Sequence, residues 1–94
     1  MYLAIDNRVG DGVGGQNDDP TLGGGVMDWV LDMGFVNTGM DIGVDESGNG
    51  DINSWSSLFR KTFPSGRLEL MAQDWGGVNM YGVMLVVPEP STKL

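Results

Sequence analysis

Residues 40–61 constrain the fold more than any other stretch. Met40, Ile42 and Val44 alternate with polar or small residues, and a second alternating run opens at Ile52. Glu46, Ser47, Gly48, Asn49 and Gly50 lie between the two. Successive side chains of an extended chain point to opposite sides, so period-two alternation marks strands with one covered face. A glycine-rich break between two such runs reads as a hairpin tip. Residues 40–46 and 52–61 are therefore expected to pair as antiparallel strands. In the second run, Trp55, Phe59 and Phe63 share one face, and Ile52, Ser54, Ser56 and Leu58 share the other.

The rest of the chain reads in the same style. Residues 2–9 suggest a strand with Leu3 and Ile5 on one face and Ala4 and Asp6 on the other. Residues 10–15 run Gly-Asp-Gly-Val-Gly-Gly, a formal match to the dinucleotide fingerprint. That fingerprint needs a helix to start at its last glycine. Here Gln16 to Asp19 and then Pro20 follow, which break a helix and repel phosphate, so a surface loop is the better reading.

Residues 20–35 hold the one helical candidate, with Val26, Met27, Val30 and Leu31 at helical spacing and Gly34 as a stop. A helix of about two turns is expected near residues 25–33. Trp29 and Trp55 are assigned to the core. Pro64 to Gly66 form a turn, and residues 67–72 alternate after it as the second arm of a hairpin. Residues 79–87 are apolar at consecutive positions, which predicts a central strand buried on both faces and ended by Pro88. Sixteen glycines imply many turns, which favours short strands over a helical bundle. The fold class expected is mainly β, an antiparallel sandwich of jelly-roll type with one short inserted helix. Residues 1–87 form a single sandwich domain, or the C-terminal part of one, and residues 88–94 a proline-rich tail.

Thirteen Asp and Glu against five Lys and Arg leave a net charge of −8. Such a surface repels nucleic acid and anionic lipid, and suits cations, basic partners or solubility outside the cell. The chain has no Cys and no His, which removes disulfide, thiolate and imidazole chemistry and the usual zinc ligands. No stretch is long enough to cross a membrane as a helix.

Two candidate sites emerge. Asp45, Ser47, Asn49 and Asp51 place oxygen ligands at alternate positions, with Gly50 at the bend and Ile52 after it, as a calcium loop does. The spacing resembles dockerin-type repeats, which continue with Ile-Asn. The twelfth place is Ser56, where a bidentate carboxylate sets affinity, and the flanks alternate like strands. Calcium at this turn is therefore expected to bind weakly or not at all, and no other cofactor is expected. Trp75, in a Gln-Asp-Trp-Gly-Gly turn, is the aromatic expected at the surface. It and Tyr81 are the candidates for stacking on sugar rings.

Val87-Pro88-Glu89-Pro90-Ser91-Thr92 closes the chain. This string resembles the opening of the PEP-CTERM sorting signal, with Pro88, Glu89 and Pro90 as its core. Upstream, Tyr-Leu-Ala-Ile-Asp-Asn-Arg, Met-Asp-Trp-Val and Asn-Met-Tyr-Gly-Val look similar to β-sandwich ectodomains that carry this signal. The resemblance implies a bacterial protein handled by an exosortase and sent to the cell surface or exopolysaccharide matrix. In that family an apolar span and a basic cluster follow the motif, so contact with the membrane would come only through an anchor beyond Leu94. The chain is accordingly expected to be the C-terminal part of a larger surface protein. The function expected is a non-catalytic structural or adhesive module that contacts polysaccharide. The alternative is a subunit of a self-assembling fibre, a homo-oligomer joined through open sheet edges. A hydrolase with a pair of carboxylates ranks third.

Overall fold

A computed structural model describes residues 1–62 and 69–85. Its regular elements are β1 (Tyr2–Asp6), α1 (Asp28–Asp32), β2 (Val36–Val44), β3 (Ser54–Arg60) and β4 (Gly82–Met84). The strands form one antiparallel sheet in the order β2-β3-β1-β4. The mainly-β expectation holds. Among the described residues the covering layer is helix and loop, not a second sheet.

The predicted hairpin is present. Asp41 pairs with Ser57, Ile42 with Ser56, Gly43 with Trp55 and Val44 with Ser54. Closer to the start of β2 the register shifts: Asn37 pairs with Phe59, so Thr38 to Met40 lie opposite Leu58 alone. The Thr38 hydroxyl donates to the Leu58 carbonyl at 2.9 Å and anchors this bulge.

The core follows from the central pair. Leu3 pairs with Phe59 and Ile5 with Ser57, so these four share a face. Leu3, Ile5 and Phe59 pack there with Val9, Met27, Trp29, Val30 and Phe35. Full burial of each large apolar side chain is worth about 1.5–3 kcal/mol, which makes this face the main source of stability. The sheet pairs β1 with β3, whose partners lie 50 to 58 positions apart in sequence, and this core holds them together.

The helix is shorter than expected. Met27 adopts a left-handed backbone, φ 46°, so helical geometry cannot begin before Asp28. The C-terminal stop is where Gly34 put it. Gly34 (φ 83°) donates to the Leu31 carbonyl at 3.0 Å, and Phe35 donates to the Val30 carbonyl at 3.1 Å. These two bonds are a Schellman motif, sealed by contact between Val30 and Phe35 in the core. Trp29 is buried and Leu31 exposed, so the apolar stripe is rotated from the expected one.

Four other expectations are corrected. Among the described residues 79–85 there is no central strand: β4 covers Gly82–Met84 and is an exposed edge, with Met80 68% and Leu85 69% exposed, and residues 86–87 lie outside the described residues. Apolarity on both faces shows that a segment avoids water but not where neighbours stand, and β1 and β3 take the covered centre. Residues 69–72 are not in a strand, and the turn expected just before them lies outside the described residues. Met40, Ile42 and Val44 do not join the core. Ile42 pairs with Ser56, on the face away from Leu3 and Ile5, and Met40 is 61% exposed in the bulge. Trp55 is half-buried and outside the core cluster, unlike Trp29.

Candidate functional site

Residues 71–81 have no regular structure, yet they are firmly tied. The Trp29 indole N–H donates to the Ala72 carbonyl at 2.9 Å, which fastens this segment to α1. The Trp29 ring packs edge-on against Phe35 (centroids 6.4 Å) and tilted against Tyr81 (5.5 Å). Tyr81 closes the loop from the other end. Its hydroxyl donates to the Met71 carbonyl at 2.7 Å, and burial raises its pKa. Gln73 is buried within the turn. Its amide nitrogen donates to the Trp75 carbonyl at 3.1 Å, and its amide oxygen accepts from the Tyr81 N–H at 2.8 Å.

This clip decides what each aromatic can do. Trp75 is 36% exposed and sits at the surface, in the place expected for it. Tyr81 is half-buried and serves as a strut between Trp29 and Met71. The two proposed sugar-stacking residues thus belong to one braced segment, with Trp75 displayed and Tyr81 supporting it. Gln73, which makes the brace, has no distinguishing sequence signal: an isolated glutamine in a turn reads as a solvated side chain.

Beside this segment lies a hollow of about 500 Å³. Trp29, Met33, Met71 and Ala72 give it an apolar part, and Asp28, Asp32 and Asp74 bring three carboxylates. Nothing in the sequence pattern groups Asp28 with Asp74; the bond from Trp29 to Ala72 does so. The Asp28 carboxylate accepts from the Gly25 N–H at 3.1 Å, which fixes its orientation. A mixed wall of this kind, apolar with a few oriented acceptors, suits a polyhydroxylated ligand.

The proposed calcium turn is built differently from a ligand cage. Asp45 Oδ1 accepts from the Gly48 N–H at 2.8 Å, and Oδ2 from the Gly50 N–H at 2.6 Å. The Gly50 N–H group, joined by those of Gly48, Asn49 and Ser47, holds its pKa below the ordinary value against the opposing effect of desolvation. Asn49 Oδ1 accepts from the Asp51 N–H at 2.9 Å, and the Ser47 hydroxyl lies 3.4 Å from both Asp45 Oδ1 and Asn53 Oδ1. Asp45, Ser47 and Asn49 therefore shape the hairpin tip with the oxygens that a cation would need. Among the described residues no three carboxylate, His or Cys groups converge on one point.

A polar cluster ties that tip to β1. Asp6 Oδ1 accepts from the Arg8 N–H at 2.8 Å and from Arg8 Nε at 3.0 Å; Oδ2 accepts from Arg8 Nη2 at 2.6 Å and the Asn79 N–H at 3.2 Å. Burial pushes the Asp6 carboxyl up, but the Arg8 guanidinium and the Arg8 and Asn79 N–H groups outweigh it and leave the pKa lowered. Arg8 Nη2 also reaches Glu46 Oε1 at 3.1 Å, and the Asn79 amide donates to the same oxygen at 2.7 Å. Hydrogen bonds from Ser54 and Asn79, then the charge of Arg8, lower the Glu46 pKa. Pro88, Glu89 and Pro90 lie outside the described residues. Comparison with family models, curated proteins and solved structures finds no match to this chain.

Proposed function

We propose that this chain is a non-catalytic structural or adhesive module of a bacterial cell surface or extracellular matrix, and that it contacts polysaccharide beside α1. One observation carries the reading: a buried glutamine clip holds the Trp75 main chain, Trp75 is displayed at the surface, and its chain neighbour Asp74 lines a hollow that also presents Asp28 and Asp32 over apolar side chains. Sugar rings stack their C–H faces on an indole, and their hydroxyls donate to carboxylates. The sorting-signal resemblance at residues 87–92 supports the surface location.

The test is a glycan-array screen followed by calorimetry. Trp75→Ala and Asp32→Asn should each weaken binding of the selected glycan about tenfold without changing the melting temperature. Unchanged affinity in both variants would remove this site from the reading. Conversion of the glycan to shorter products would replace it with a carboxylate hydrolase. A second reading, a subunit of a self-assembling fibre, is favoured by the exposed Met80, Val83, Met84 and Leu85 along the β4 edge. Sedimentation at rising concentration tests it.

A further inference from the structure

Six asparagines lie in the chain, and Asn49 is the one followed by glycine. That neighbour governs a reaction an asparagine undergoes without an enzyme. The main-chain nitrogen of the next residue attacks the side-chain amide carbon and closes a five-membered ring. A Cβ on the next residue shields that nitrogen, and glycine has none. At Gly50 an added Cβ would meet open space, so the rest of the protein does not shield the nitrogen either. Asn49 and Gly50 are both exposed, so water reaches the ring. The other five asparagines lack one of these conditions or both. Asn7 is fully buried, and Asn37 and Asn79 are half-buried. Asn17 and Asn53 are exposed, but Asp18 and Ser54 follow them.

The hairpin tip also controls the rate. Ring closure requires the Gly50 nitrogen to give up its proton. That N–H donates to Asp45 Oδ2 at 2.6 Å, and Asp45 Oδ1 is itself fixed by the Gly48 N–H at 2.8 Å. A bond from an N–H to a carboxylate is charge-assisted and holds the proton on its nitrogen. The amide to be attacked is held as well: Asn49 Oδ1 accepts from the Asp51 N–H at 2.9 Å.

We propose that Asn49 and Gly50 form a site of spontaneous covalent modification, and that Asp45 is the latch that restrains it. The Gly50 nitrogen bonds to Asn49 Cγ, the bond from Cγ to the side-chain nitrogen breaks, and ammonia leaves with the proton from the Gly50 nitrogen. Water then opens the ring at either carbonyl, its hydroxyl going to the carbon and its proton to the nitrogen. Opening at Cγ gives aspartate. Opening at the main-chain carbonyl gives a β-aspartyl linkage, in which the chain runs through Cγ and is one carbon longer. Either product adds a negative charge beside Asp45, Glu46 and Asp51. The β-aspartyl form also lengthens the tip that Glu46 ties to Arg8. This inference does not depend on the sugar-binding reading.

The experiment incubates the full chain in mildly alkaline buffer made with heavy-oxygen water, so that conversion during incubation is distinguished from conversion before it. Peptides are then mapped by mass spectrometry with fragmentation that separates the two products. Asn49 is expected to convert before any other asparagine. Gly50→Ala should remove the conversion over the same period. Asp45→Ala should speed it about three- to tenfold, the factor that matches loss of one hydrogen bond, in step with faster hydrogen exchange at Gly50. Both substitutions lie in the exposed tip, and a thermal melt of each variant checks that the fold is kept. Earlier conversion at Asn17 would overturn the inference. So would conversion in Gly50→Ala at the parent's rate. A rate in Asp45→Ala equal to the parent's or below it would overturn the latch.

Discussion

Asp6 and Asp45 each stand at the end of a strand, and each accepts main-chain N–H groups from the turn that follows. Asp6 is 1% exposed, shares its turn with Arg8, and also holds Asn79, 73 residues away. Asp45 is exposed and holds only its own hairpin tip. In both, the N–H groups favour the charged form. Asp6 differs because burial is the largest single influence on it and opposes that charge, so removal of any partner exposes a cost that water would otherwise absorb. The same local hydrogen-bond pattern is thus structural in one turn and merely conformational in the other.

The largest expected effect is at Asp6. Asp6→Ala strands the Arg8 and Asn79 N–H groups and removes the partner of a half-buried guanidinium. It should cost about 2–4 kcal/mol in urea denaturation. Asp45→Ala should leave the midpoint nearly unchanged and speed hydrogen exchange only in residues 46–50. Equal losses in the two variants would break the contrast.

Glycines in the two turns should differ in the same order. At Gly10 (φ 92°) an added Cβ would lie 1.9 Å from the Thr21 carbonyl oxygen, whereas at Gly50 (φ 91°) it would meet open space. Gly10→Ala should cost about 2–3 kcal/mol, and Gly50→Ala about 1 kcal/mol for its φ alone. Thermal melts of both variants decide the point.

Acid sharpens the comparison further. The folded pKa of Asp6 lies below its unfolded value, so its contribution is complete above the ordinary carboxylate range and is lost as pH falls through the lowered value. Stability should decline from about pH 4 downward. Asp6→Asn should flatten that decline more than Asp45→Asn does. The smallest effect is expected from Glu46→Gln. Glu46 is an exposed partner of Arg8, and at high salt the variant and the parent should melt together.

What could be read from sequence was local. The 40–61 hairpin is legible because alternation and turn residues lie side by side, and the helix end is legible at Gly34. The helix start was hidden because nothing marks Met27 for a left-handed backbone. Residues 79–87 misled because burial on two faces depends on what the rest of the chain places there. Trp75 was legible from its turn composition. Gln73 and the hollow joining Asp28 to Asp74 were not. Each arises from contacts between residues far apart in the chain, and no short-range period encodes them.

The bulge in β2 limits how copies of this protein could join. Thr38 to Met40 break the ladder of free N–H and C=O groups on that side of the sheet, so an incoming strand finds no continuous template there. Among the described residues the remaining margin is β4. Two molecules that meet there about a two-fold axis use up each other's one regular margin among the described residues, and strand pairing there closes at a pair. Unlimited growth needs two complementary ends, so a filament that used the β4 margin would need a second, complementary contact beside it.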